Sequence, residues 1–191
     1  MRAAWGVLVA CWLSYWILLV HQYMSAKRRR QREGEASRRR VDGRSMVGMS
    51  LEFLAFATAF GFRRGAMDPA PEPLLWLAVL LAPLAVLVGA LAAHSLGREF
   101  RVQAVVTEDQ RLVTVGPYRV IRHPIYASLL GLLLATGLTI TAWPALLASL
   151  AVFLVGTEIR VRVEDSLLAA SFGADFEAYR KGTAAYIPFV R

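Results

Sequence analysis

Apolar residues gather in long blocks along this chain, and the polar residues fall between the blocks rather than alternating within them. The first block, AAWGVLVACWLSYWILLVHQYM, runs from Ala3 to Met24. As a helix its roughly 22 residues reach about 33 Å, enough to cross the hydrocarbon core of a bilayer. A second block runs from about Ser45 to Phe62 and is interrupted by one acid, Glu52. The third, Leu74 to Leu96, contains Pro83, an expected kink. The last stretch, Ile125 to Ile159, breaks at the TAWP of Thr141 to Pro144. It predicts a helical hairpin with two short arms of about 15 to 18 residues each, partly sheltered by protein or thinning the bilayer. The pattern therefore predicts an all-α integral membrane protein with about five transmembrane helices, one pair of them a short hairpin.

The polar segments orient this bundle. Nine of the 22 basic residues lie between Lys27 and Arg44, directly after the first block. Such a juxtamembrane cluster sets its loop on the cytoplasmic side and faces anionic lipid. The amino terminus is then outside, with Arg63 and Arg64 on the outer side. Residues 97–123 and 160–191 share the cytoplasmic side, where they are expected to form a pocket. The first 96 residues read as a three-span scaffold and residues 97–191 as the chemical core. Composition agrees, with 57% hydrophobic and 19% charged residues and a mean hydropathy of +0.46; a soluble domain is more polar. The net charge of +8 is concentrated beside a span, which argues for lipid rather than nucleic acid as its partner. The single cysteine, Cys11, lies inside an apolar run and reads as a packing residue, not half of a disulfide.

Two polar segments carry chemistry. In GPYRVIRHPIY, residues 116–126, Gly116-Pro117 makes a turn and Pro124 suits the first turn of the following helix. Arg122 and His123 then stand at the positive end of that helix, an expected site for an anionic group. Tyr118 and Tyr126 offer aromatic faces or interfacial anchors. In the second segment, 158–188, Arg160 and Glu164 are four apart and share one helix face, with Asp165 beside them. Phe172, Phe176, Tyr179 and Tyr186 form an aromatic face expected to cap something. Glu52 and His94 are polar groups within spans, and an intramembrane acid is a functional candidate by default. The chain contains no GxGxxG, P-loop or HExxH motif and no Cys/His cluster of metal-binding spacing, so no metal is expected.

The order RLVTVGPYRVIRHPIY, two apolar arms, the acidic pair Glu164-Asp165, then L, FG, Y and IP resembles the isoprenylcysteine carboxyl methyltransferase family and the related membrane phospholipid methyltransferases. The resemblance covers roughly residues 97–191. It implies an S-adenosylmethionine-dependent enzyme without a Rossmann fold. It also implies cofactor contacts at Gln103, at Gln110, Arg111, Leu112 and Val113, at Tyr118, at His123, Pro124, Ile125 and Tyr126, and at Glu164. Arg160 takes the place of a substrate-binding, catalytic arginine, and Glu164 has a catalytic role beside it. Gln110 stands where a histidine is common, and Asp165 where Glu is usual. The implied reaction is methylation of a lipid-like substrate, most directly an isoprenylcysteine-type carboxylate, with a phospholipid or lipid amine as the alternative. Should the nucleophile be an amine, Glu164 or Asp165 is the expected proton acceptor. A non-catalytic lipid-binding scaffold and a transporter are the rival readings. Retention of Arg160, Glu164 and His123 opposes the first, and the scarcity of charges within the spans opposes the second.

Overall fold

The computed structural model describes residues 2–32, 43–65, 68–100 and 111–188. Among these residues are six helices and no strand: α1 (Arg2–Arg32), α2 (Gly43–Gly61), α3 (Glu72–Leu96), α4 (Pro124–Ile140), α5 (Trp143–Phe172) and α6 (Ala174–Gly182). Single 3-10 turns follow α3 and precede α4, at Gly97–Glu99 and Gly116–Arg119. Helices α1, α3 and α5 are long and apolar enough to cross a membrane, and α4 is apolar but shorter. Helix α2, with 19 residues, carries Glu52. Large side chains on α3 such as Leu80, 71% exposed, face outward as lipid-facing groups do. The chain is an all-α membrane protein.

Two boundaries differ from the sequence pattern. Helix α1 continues past Met24 to Arg32, so the start of the basic segment is helical. The second hairpin arm does not stop near Ile159: α4 has 17 residues but α5 has 30. Arg160 to Phe172, expected in a separate tail, continues the helix of the last span instead. Charges break the apolar run there, yet they find partners on the same helix, as in the Arg162–Glu158 pair at 2.8 Å, and the helix persists. At 1.5 Å per residue α5 is about 45 Å long, beyond the ~30 Å hydrocarbon core. Its extension holds Glu164 and Asp165.

Small residues set how the helices meet. Ala78, Ala82, Ala85, Gly89 and Ala92 form a buried stripe on α3, which lets α4 and α1 approach closely. Leu8, Cys11 and Tyr15 of α1 pack there with Leu132 and Ala135 of α4. Helix α2 lies along α5 at a glycine pair. A Cβ on Gly48 would stand 2.6 Å from both the Gly156 carbonyl oxygen and Cγ of Arg160, and one on Gly156 would stand 2.7 Å from the Gly48 oxygen. The stem of Arg160 thus lies across Gly48, where no other residue leaves room.

The hairpin turn is fastened to the end of α2. Arg64 N–H donates to the Ile140 oxygen (2.8 Å) and Ala142 N–H to the Phe62 oxygen (2.9 Å). Arg64 Nε–H bonds the Thr141 oxygen at 2.7 Å, with its guanidinium 3.9 Å from the Trp143 ring centroid. Arg64 is therefore structural here.

Candidate active site

The segment before α4 is held by the carboxy-terminal tail. Gly116 has φ +62°, a left-handed value that suits glycine, and Pro117 starts the turn. Arg122 and His123 N–H groups donate to the oxygens of Ala184 and Ala185, both at 2.8 Å, in a short parallel bridge between Ile121 and Ala184. Tyr179 of α6 donates its hydroxyl to the Tyr118 oxygen at 2.6 Å. Phe176, fully buried, packs edge-on to Tyr179. Of the expected aromatic face, Tyr179 with Phe176 behind it clamps the GPY turn, whereas Tyr186 packs beside Tyr126 and Val161.

Arg122 and His123 then turn toward α5, where the two acids receive them. His123 sits between carboxylates, Nε2 2.9 Å from Asp165 Oδ1 and Nδ1 3.2 Å from Glu164 Oε2. Both ring nitrogens face acceptors, so both carry protons and the ring is an imidazolium. Burial alone pulls its pKa down, but the two carboxylates outweigh burial and hold it up at about 9. Arg122 reaches Asp165 Oδ2 at 3.3 Å and also donates to the oxygens of Arg180 and Thr183 at the end of α6, where cations are favoured. These findings correct the expected anion site at the start of α4. Its cations are already paired with acids of α5, a tertiary contact that local spacing does not reveal. Burial pushes the Tyr118 hydroxyl well above its ordinary value and the Tyr179 hydroxyl up to about 12; both stay neutral.

One turn along α5, Arg160 is also paired. Its Nη1 donates to Glu52 Oε2 at 2.7 Å, and Thr157 Oγ1–H bonds Glu52 Oε1 at 3.0 Å. Its guanidinium carbon lies 4.9 Å from the Tyr126 ring centroid. Tyr126 donates its hydroxyl to Glu164. The i,i+4 contact from Arg160 to Glu164 is longer, at 3.9 Å, so the expected local pair is secondary to one formed across 108 positions of sequence.

These groups line one cavity of about 680 Å³, within the range of small-molecule sites. Of the residues expected in the site, Arg111, Leu112, Val113, Tyr118, His123 and Ile125 line it, as do Tyr126, Arg160 and Glu164. Pro124 is fully buried in the first turn of α4 and fixes that turn rather than lining the space. Gln103 and Gln110 lie outside the described residues. Asp165 holds Arg122 and His123 from behind and is not a wall of the cavity. His94 is exposed near the end of α3.

From this polar end the cavity runs between α1 and α2. Trp12, Tyr15, Leu19 and Tyr23 line one side, and Glu52, Phe53, Phe56 and Phe60 the other. Helix α1 packs on α3 and α2 on α5, which leaves this slot between them. Trp16, Val20 and Phe53 line it and are exposed, so the slot opens sideways toward lipid. The sequence does not single out these aromatic walls, because residues three or four apart also line the lipid-facing side of any span.

The polar pocket is thus continuous with an apolar slot that opens toward lipid. The phospholipid methyltransferase family matches residues 74–175, from α3 to the start of α6. The chain belongs to this family. No curated protein matches the chain. As a phospholipid methyltransferase family member it is a membrane methyltransferase acting on lipid substrates, and the family implies dependence on S-adenosylmethionine. The donor set fits that cofactor. Arg111 would supply a cation for its carboxylate, Glu164 an acceptor for its ammonium or ribose hydroxyls, and Tyr118 and Tyr126 aromatic faces for adenine or sulfonium. Among the described residues no cluster of metal-ligating side chains occurs.

Proposed function

We propose that this protein transfers a methyl group to the polar head of a lipid that enters from the bilayer, and that the head is an amine. The Arg160–Glu52 pair carries this reading. Arg160, the expected receptor for a substrate carboxylate, already has a carboxylate partner at 2.7 Å. The same pair places a second acid, Glu52, 5% exposed, in the cavity wall together with Glu164. The wall carries cations too, among them Arg111 and Arg122, but Glu52 and Glu164 are the groups in it that can receive an ammonium head.

The bound cofactor supplies an electrophilic methyl on a sulfonium. The chain's own residues do the rest. Arg111, Glu164, Tyr118 and Tyr126 would hold and orient the cofactor, and His123 holds Glu164 in place. Glu52 would take one proton from the lipid ammonium, which frees the nitrogen lone pair to receive the methyl that the cofactor would supply. Arg160 steadies Glu52 before and after it takes the proton. Positioning and exclusion of water supply most of the acceleration. The cofactor end faces the cytoplasm, the side on which the basic cluster after α1 is expected.

A second reading, methylation of an isoprenylcysteine-type carboxylate, is favoured by the presence of Arg160 in the cavity wall beside Tyr126. It requires Glu52 to yield Arg160 to the substrate. The test has two parts. Calorimetric titration with S-adenosylhomocysteine is expected to show saturable binding that Glu164→Ala weakens; no binding to folded protein ends the methyltransferase reading. Methyl incorporation into phosphatidylethanolamine, but not into an isoprenylcysteine analogue, supports the amine; the reverse supports the carboxylate.

A further inference from the structure

The slot between α1 and α2 ends at one side chain. Trp12 reaches across from α1, its ring edge-on to Phe56 (centroids 5.2 Å apart) and to Phe60 (5.7 Å) of α2. Its indole N–H is anchored on α4 by a 3.1 Å bond to Thr136 Oγ1. Thr136 in turn donates its hydroxyl to the Leu132 oxygen at 2.7 Å, so the anchor is itself held in one orientation. Three helices thus converge on one indole. Among the described residues, none of α1 before Trp12 and none of α2 after Phe60 lines the cavity.

We infer that Trp12 is the end-stop of the lipid slot and sets the length of the one hydrocarbon chain that the methyl acceptor seats there. The inference rests on the lipid methyltransferase reading above. Two independent rulers give the depth. From Tyr126, at the polar end, to Thr136 is ten residues of α4, or about 15 Å at 1.5 Å per residue. From Tyr23 to Trp12 is eleven residues of α1, or about 16 Å. Both match one leaflet, half of a ~30 Å hydrocarbon core. The sideways opening at Trp16, Val20 and Phe53 leaves a second chain in the bilayer. A chain that ends at Trp12 fills the slot; a longer one must bend out through the opening. Trp12 is therefore a specificity-determining residue, distant from the methyl transfer itself.

Photolabelling tests this without turnover. Lysophosphatidylethanolamines with a diazirine at the end of an octanoyl, dodecanoyl or hexadecanoyl chain are added to the full-length protein in nanodiscs, irradiated and mapped by mass spectrometry. The dodecanoyl probe is expected to label Trp12 and Phe56, and the octanoyl probe the shallower Leu19 and Phe53. In Trp12→Ala the label of the hexadecanoyl probe moves inward to Phe60, and the preferred chain in methylation assays becomes longer. Trp12→Phe, which keeps the ring but not the N–H anchor, shifts less. Phe56→Ala removes the other half of the stop and carries the test should Trp12→Ala not fold. Labels scattered over lipid-facing side chains such as Leu13 and Leu80, with no dependence on chain length or on either variant, overturn the inference. Parallel titration with S-adenosylhomocysteine separates the two ideas. Labels that stop at Trp12 in a protein that binds no S-adenosylhomocysteine leave the slot standing and remove the methyltransferase.

Discussion

Arg160 and Glu52 meet at 2.7 Å, one on α5 and the other on α2, both almost fully buried. Removing one partner of such a pair leaves a buried charge and costs about 3–5 kcal/mol. Glu52→Ala is therefore expected to lower the thermal midpoint severely. Glu52→Gln keeps the shape and one acceptor oxygen, which can still receive Arg160 Nη1–H, but it loses the charge and cannot take a proton. It is expected to retain S-adenosylhomocysteine affinity while methylation of a lipid amine falls about 10²–10⁴-fold. An unchanged rate in this variant excludes Glu52 as the proton acceptor.

His123 makes stability pH-dependent, with a definite sign. Its pKa is held up at about 9 in the folded protein, against about 6.5 in an unfolded chain. The stabilisation is fully present below pH ~6.5 and is lost as pH rises through about 9; its size is on the order of 3 kcal/mol. Thermal unfolding followed by circular dichroism in detergent should show the midpoint falling over this window. His123→Gln should flatten the profile. A midpoint that rises across the window contradicts an imidazolium between the two acids.

Gly48 and Gly156 leave no space for a methyl group. Gly48→Ala drives a Cβ against a backbone oxygen and the stem of Arg160, and overpacking of this kind costs about 1–3 kcal/mol. The rate should fall with stability, because displacing Arg160 disturbs Glu52. Gly182→Ala, where nothing lies within 4 Å, is the matched control and should leave both properties unchanged.

Tyr179→Phe deletes the bond that holds the Tyr118 oxygen at a cost of about 1 kcal/mol. The GPY turn should loosen and S-adenosylhomocysteine affinity should drop several-fold, read by calorimetry, with little change in thermal midpoint. An equal loss in a variant at exposed Lys181 would remove the clamp from the explanation.

The helices could be read from sequence because the length of an apolar block is a local property, and α1 to α4 begin or end near the expected residues. The end of α5 could not, since its charges look like a tail until their helical pairs are seen. The acidic pair and the Arg122-His123 cations were each visible, but not that they neutralise one another across the α4–α5 junction. Glu52 stood out as a costly acid within a span, yet its partner lies in another helix. Trp12 gave no signal, because one aromatic in a span resembles every other until the opposite wall is known.

The Arg160–Glu52 pair also bears on the order of biogenesis. Helix α2 leaves the ribosome well before α5, and Glu52 then has neither Thr157 nor Arg160 to satisfy it. Helix α2 is not among the helices long and apolar enough to cross a membrane, so its hold on the bilayer is weak until α5 arrives. The two helices therefore behave as a delayed pair. Full insertion of the second segment waits for the last one. With Cys11→Ser to remove the native thiol and Phe53→Cys to place one on α2, a chain truncated before α5 should react with water-soluble thiol reagents that the complete protein resists.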